Sequence, residues 1–165
     1  MKTYRAKTPR RWLLSLGRLT LALLSSLTVF AAARADFRDD YDRAVAEYQK
    51  ASNRSNYEAV AARFMALSKR DDAGSLRDNV FYWLGESHYD LKDYLKALDC
   101  FERVLLHPQT PKEESARFKV AVCYANLGWI EAAKWELSGF LRDYPASQLT
   151  QRARAELQNL TEKGR

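Results

Sequence analysis

Three stretches of the chain repeat one spacing of apolar residues. Within each stretch these residues follow one another at intervals of three, four and three positions, which places them along one face of an amphipathic helix. The stretches begin 37 and 36 residues apart. Their members are Tyr57, Val60, Phe64, Leu67; Tyr94, Ala97, Phe101, Val104; and Ile130, Ala133, Leu137, Phe140. A period of this length predicts stacked copies of one small helical unit.

A further helix is predicted upstream of each of the last two apolar seams. Its signature residues are Phe81, Leu84 and Gly85 before the second seam, and Val120, Ala121, Tyr124 and Gly128 before the third. A small residue on each upstream helix permits close packing against its partner. Together with flanking segments, the pattern predicts helices at about 38–51, 55–69, 75–91, 93–106, 111–126, 129–142 and 147–161.

Residues that favour helix starts lie near these boundaries. The predicted N-caps are Ser55, Ser75, Asp93, Thr110 and Ser147. The first two are followed three positions later by an acidic residue, the arrangement of a capping box. A proline follows the fourth, as is common at the first position of a helix. The fifth begins a single closing helix, which a solenoid needs to cover its exposed end.

The second unit, residues 78–110, resembles the tetratricopeptide repeat, a pair of antiparallel helices of about 34 residues. It matches the family pattern at Phe81, Leu84, Gly85, Tyr94, Ala97 and Phe101. The third unit, residues 114–146, matches at Tyr124, Gly128, Ala133 and Pro145, and the first, residues 41–74, matches mainly in its second helix. The resemblance implies an all-α fold, a short right-handed solenoid of about three helix pairs plus a C-terminal capping helix.

Two longer segments narrow the resemblance to a periplasmic branch of the family. Residues 79–89 (NVFYWLGESHY), followed by residues 93–97 (DYLKA), are similar to the C-terminal repeat domain of the Tol-Pal-associated cell division coordinator. Residues 140–147 (FLRDYPAS) are also similar to a segment of that domain and of the repeat lipoproteins of outer-membrane assembly. The resemblance covers about residues 55–160 and implies a periplasmic repeat adaptor.

Charge divides the chain near residue 35. The chain has 27 Lys and Arg against 21 Asp and Glu, but residues 1–35 contain seven basic residues and no acidic one. Residues 36–165 are therefore nearly neutral, which argues against nucleic-acid binding. A basic start, an apolar stretch at 19–33 and small residues before Asp36 predict a signal peptide cleaved after Ala35. The repeat domain is then 36–165 and periplasmic; an uncleaved inner-membrane anchor is the alternative.

The resemblance also implies a binding groove, because the first helix of each pair lines the inner face in this family. Carried over by position, that face contains Tyr82, Glu86, Tyr89, Asp90, Ser115, Phe118, Val122, Asn126, Arg152 and Glu156. Tyr82, Tyr89 and Phe118 lie at spacings outside the core pattern of the repeat. We expect them to be exposed as anchors for a peptide. The alternative is that they pack against neighbouring helices.

Catalysis is not indicated by the sequence. His88 and His107 have no metal-ligand spacing with cysteines or acidic residues, so we expect a packed, hydrogen-bonded His88 and a solvated His107 at a helix end. A glycine-rich phosphate loop and a serine nucleophile motif are both missing from the sequence. We therefore expect a protein that is not an enzyme and that has no metal, cofactor or small-molecule substrate.

Cys100 and Cys123 are predicted on adjacent helices. In an oxidising compartment they could form a disulfide. Packed helices do not guarantee the Cα separation of about 5.5 Å that a disulfide prefers, so two buried thiols are favoured over the bridge. We also expect Trp83, Trp129 and Trp135 to pack between repeats.

These observations predict an exported adaptor that binds a protein or peptide partner of the cell envelope, in assembly, division or secretion. One alternative is a structural subunit of a larger envelope complex, and another is a scaffold tethered by an uncleaved N-terminal anchor. Three repeats are near the minimum for a stable solenoid, so self-association stays open as well.

Overall fold

The computed structural model describes residues 36–107 and 109–163. The predicted signal peptide, residues 1–35, lies outside the described residues. Helix α1 comprises residues 36–50, and a 3-10 helix, Asp71–Leu76, precedes α3. The other helices are α2 (Arg54–Ser68), α3 (Arg77–Asp90), α4 (Tyr94–Leu105), α5 (Glu113–Asn126), α6 (Ile130–Asp143) and α7 (Thr150–Lys163). The described ranges contain no strand, so the predicted all-α fold is confirmed.

The helices stack as a repeating series. From α2 onward each helix packs against the next one in the chain, and α3, α5 and α7 begin 36 and 37 residues apart. Contacts along these helices keep a similar interval and ascend together: Lys119 and Asn126 on α5 bind Glu86 and Tyr89 on α3, 33 and 37 residues apart. Ser147, in the turn before α7, binds Glu114 in the first turn of α5. Successive first helices therefore run in the same direction. The predicted solenoid of three helix pairs and a closing helix is confirmed.

The apolar seams form the core. Each seam buries its last three members: Val60, Phe64, Leu67; Ala97, Phe101, Val104; and Ala133, Leu137, Phe140. The first member of each seam is only half-buried. Within the second pair, a Cβ atom added at Gly85 would lie 2.7 Å from Cε1 of Phe101. Because such contacts are too short for real Cβ atoms, glycine is required for the approach of α3 to α4.

Two of the predicted helix starts are wrong. Asn53 replaces Ser55 as the N-cap of α2, and its side chain accepts a hydrogen bond from the Asn56 amide at 3.0 Å. Ser75 lies inside the 3-10 helix rather than at the start of α3. Ser75 does not cap α3 because Gly74, directly before it, has a φ of 51° and interrupts the helical backbone there.

The other three helix starts are close to prediction but differ in detail. Asp93 occupies the N-cap position of α4, where its carboxylate binds the Lys96 ammonium at 2.6 Å and makes no capping hydrogen bond. Thr110 accepts the Lys112 amide at 3.4 Å, three residues before α5 begins. Ser147 accepts the Leu149 amide at 2.9 Å, just before α7. Thr110 and Ser147 thus form turns that lead into their helices.

The tryptophans do not share one role. Trp83 is half-buried, and its indole N–H donates to the Tyr41 hydroxyl at 3.0 Å, as expected for packing between repeats. Trp129 is 49% exposed and contacts Tyr124 of its own unit, and Trp135 is 74% exposed, so the prediction of packing between repeats is wrong for both. Among the helices described, none is both long and apolar enough to span a bilayer.

Candidate functional site

A buried ion pair lies at the centre of the face formed by the first helices. The Lys119 ammonium on α5 donates to Glu86 Oε2 on α3 at 2.8 Å, and these side chains are only 17% and 13% exposed. Burial raises the pKa of Glu86, and the charge of Lys119 opposes the rise. The second carboxylate oxygen, Oε1, is buried and lacks a hydrogen-bond partner in the described part of the chain. This pair ties α3 to α5 and leaves one acceptor of the carboxylate unused.

Lysine ammonium groups lie over the tyrosines of this face. Lys112 Nζ is 4.8 Å from the ring centroid of Tyr82 and 5.3 Å from that of Trp83, and Lys119 Nζ is 4.4 Å from that of Tyr89. Such cation–π contacts contribute about 0.5–1 kcal/mol when exposed and more when desolvated. Tyr82 and Tyr89 are half-buried rather than freely exposed. The rings and cations therefore form a preorganised surface.

A tyrosine on α1 extends this surface. The Tyr48 hydroxyl donates to Asp90 Oδ2 at 2.6 Å, and the Asn126 amide lies 3.4 Å from the Tyr89 hydroxyl. Burial, then the hydrogen bond to Asp90, raises the pKa of Tyr48. Burial raises the pKa of Tyr89 as well; Asn126 opposes the rise, and the nearby charge of Glu156 on α7 adds to it. Side chains of α1, α3, α5 and α7 thus meet on one face.

Two predicted groove residues are not available for binding. Phe118 is 1% exposed, and its ring centroid lies 5.8 Å from that of Phe140. Val122 is also buried in this cluster, at 9% exposure. The expectation that Phe118 is an exposed anchor is wrong, because α6 and α7 close over it. Arg152 is exposed as expected, and its guanidinium carbon lies 5.2 Å from the centroid of the Phe118 ring.

Three residues of this face were missed from the sequence: Tyr48, Lys112 and Lys119. Lys119 stands 33 positions after Glu86, close to one repeat length, so a comparison of equivalent positions for opposite charges could have found it. Tyr48 bonds to a residue 42 positions later, well outside the repeat interval. No sequence signal would have paired those two residues.

The surface that these contacts join is named here the first-helix groove. Its residues are Tyr48, Tyr82, Glu86, Tyr89, Asp90, Lys112, Ser115, Lys119, Asn126, Arg152 and Glu156.

The histidines and cysteines lie outside this groove. His88 is packed, as predicted, and burial lowers its pKa, but its buried Nδ1 has no partner among the described residues, so the expected full hydrogen bonding is wrong. His107 is exposed, as predicted, and lies 3.0 Å from an oxygen of Asp78. Cys100 and Cys123 are free, buried thiols whose pKa values burial raises to about 12.

In the parts described, no three His, Cys, Asp or Glu side chains come together in a way that could hold a metal ion. No curated protein matches the chain. The family model of the tetratricopeptide repeat matches residues 79–107, which comprise most of α3, all of α4 and the turn between them. The chain is thus an all-α solenoid that contains a tetratricopeptide repeat at residues 79–107.

Proposed function

We propose that this protein is an exported adaptor that binds a protein or peptide partner in the first-helix groove. Tetratricopeptide repeats generally mediate protein binding, and their stacked helices create extended concave surfaces for it. The observation that carries the proposal is the pair of half-buried tyrosines, Tyr82 and Tyr89, each beneath a lysine ammonium. Aromatic side chains held in place before binding lose little conformational entropy when a partner docks.

The proposed setting is the periplasm, in envelope assembly, division or secretion. Support comes from the signal-peptide pattern of residues 1–35 and from the likeness of residues 79–97 to periplasmic repeat domains. Phe37, two residues after the proposed cleavage point, is 1% exposed. Cleavage after Ala35 would therefore leave every described core residue in place. Cell fractionation with intact-mass measurement tests this: soluble periplasmic protein beginning at Asp36 is expected, and membrane-bound full-length protein would instead identify a tethered scaffold.

We further propose that the protein is not an enzyme and uses no cofactor. The groove holds tyrosines, carboxylates and cations, which suit recognition of a polar chain. Both cysteine thiols are buried, and burial keeps them protonated by raising their pKa values to about 12. A protonated, buried thiol is a poor nucleophile.

Capture of partners from cells tests the binding proposal. The tagged full-length protein is expressed in its own cells, cross-linked and purified beside a Tyr82→Ala/Tyr89→Ala variant. The matched control is Leu106→Ala/Trp135→Ala, whose side chains are 73% and 74% exposed and lie just after α4 and on α6. Equal helicity by circular dichroism is required of all three proteins. We expect a partner that is retained by the control and lost by the groove variant.

One observation favours the alternative of a structural subunit in a larger complex. Leu106 and Trp135 expose large apolar side chains outside the groove, and exposed apolar surface is typical of interaction sites. The same capture experiment separates the two functions. A partner lost by the Leu106→Ala/Trp135→Ala protein and kept by the groove variant would replace the adaptor proposal with the subunit function.

A further inference from the structure

Charges of opposite sign are sorted along the first-helix groove. Lys112 stands at the N-terminal end of α5 and Arg152 in the first turn of α7. Asp90 is the last residue of α3, and Glu156 lies one turn further along α7 than Arg152. Because α3, α5 and α7 run in the same direction, the cations gather toward one end of the groove and the carboxylates toward the other.

These four charges have no ion-pair partner within the described ranges. Lys112 and Arg152 rest on aromatic rings, and Asp90 accepts a hydrogen bond from the neutral hydroxyl of Tyr48. The carboxylates next to Lys112 in the chain are already engaged: Glu113 binds Arg117 at 3.4 Å, and Glu114 accepts a hydrogen bond from Ser147. The charges at both ends of the groove are therefore available to a ligand.

The middle of the groove separates the two ends. Glu86 and Lys119 neutralise each other there at 2.8 Å. From Tyr82, which lies beneath Lys112, to Asp90 is a span of eight residues along α3, or about 12 Å at 1.5 Å per residue. An extended peptide rises about 3.3 Å per residue. The span therefore corresponds to three or four residues of an extended ligand.

We propose that the groove binds an extended peptide that carries an acidic and a basic residue three or four positions apart. The ligand carboxylate lies between Lys112 and Arg152, and its ammonium or guanidinium lies beside Asp90 and Glu156. The inference rests on the proposed function and adds to it the charges that the partner peptide must carry. A peptide with only acidic residues satisfies one end of the groove and meets repulsion at the other.

Selection from a random peptide library tests this charge pattern. A displayed library of nine-residue peptides is selected on the purified protein, after expression of the full chain, and the enriched sequences are compared with the starting pool. We expect enrichment of opposite charges at separations of three and four residues. Enriched peptides without such a pair would overturn the inference and leave the proposed function standing. Failure to enrich any peptide would overturn both.

Charge reversal then assigns the ends of the groove. We expect Lys112→Glu/Arg152→Glu to weaken an enriched peptide at least about tenfold, and replacement of the peptide's acidic residue by lysine to restore affinity for that variant. The matched control, Lys69→Glu/Arg142→Glu, changes the net charge equally at exposed positions away from the groove. Equal weakening by the control, or no rescue by the altered peptide, contradicts the assignment.

Discussion

The first unit of the solenoid and the second are held together by different means. In the second unit, Gly85 allows Phe101 to approach the backbone of α3. In the first unit, the guanidinium of Arg70 joins Asp40 on α1 to Asp72 in the connection that follows α2, at 2.8 and 2.7 Å. Both units have a buried apolar core; beyond it, the second unit relies on a close helix approach and the first on a branched ion pair.

Length accounts for much of this difference. Helix α2 has 15 residues against 12 in α4, and a 3-10 helix follows it before α3 begins. Contacts between α1 and α3 span 42 residues, whereas the contact between Glu86 on α3 and Lys119 on α5 spans 33. In the longer first unit, Arg70 reaches from the connection after α2 to Asp40 on α1 and to Asp72 in the 3-10 helix.

The largest expected effect comes from removing the aromatic ring beneath Arg70. Phe37 is 1% exposed, and the Arg70 guanidinium carbon lies 4.9 Å from its ring centroid. Phe37→Ala should lower the free energy of unfolding by about 3–5 kcal/mol, as truncation of a buried phenylalanine does. Urea unfolding measures this loss. The control, Leu95→Ala at a side chain that is 58% exposed, should change stability by no more than about 0.5 kcal/mol. If both variants lost the same small free energy of unfolding, packing of α1 would contribute little to stability.

A smaller loss of stability should follow when an atom is added to the core of the second unit. Gly85→Ala adds a Cβ atom 2.7 Å from the buried Phe101 ring, so the ring or the helix must move. We expect a loss of about 1–3 kcal/mol from overpacking, partly offset by the better helix propensity of alanine. Thermal unfolding monitored by circular dichroism measures it.

Gly139 supplies the matched control for this substitution. It also lies in a helix, but the nearest atom to an added Cβ is the flexible end of Arg142, at 3.7 Å. Gly139→Ala should therefore stabilise the protein by about 0.5–1 kcal/mol. If both alanine variants were stabilised, the close approach of α3 and α4 would not depend on the missing side chain.

Parts of the solenoid also differ in how far they could be predicted. Val60, Phe64 and Leu67 follow the helical period and are buried as predicted. The cap at Ser75 failed because Gly74 imposes a left-handed φ, which a side-chain pattern does not report. Phe118 was assigned to the correct helix but was expected to be exposed. Periodicity predicts which side of a helix a residue occupies, but it does not predict that α6 and α7 cover that side. The pairing of Tyr48 with Asp90 depends on the irregular length of the first unit.

The smallest effect, and the one that compares the two units most directly, is the sign of their pH dependence. The hydrogen bond from Arg70 holds the pKa of Asp72 below its usual value of 3.8. Folding therefore gains from Asp72 above pH 3.8, and the gain is lost as the pH falls through the lower folded-state value. Burial raises the pKa of Glu86 above 4.5, so its contribution is present below pH 4.5 and is lost as the pH rises toward the raised value.

Asp72→Asn and Glu86→Gln remove these two titrations separately. Urea unfolding of each variant and of the unaltered protein from pH 3 to pH 7 gives the difference in free energy at each pH. Relative to Asp72→Asn, the unaltered protein should gain stability with rising pH across the region below 4. Relative to Glu86→Gln, it should lose stability with rising pH above 4.5, because the buried carboxylate then ionises. Slopes of the same sign would mean that Lys119 fully compensates the burial of Glu86, and both units would then be stabilised by charge.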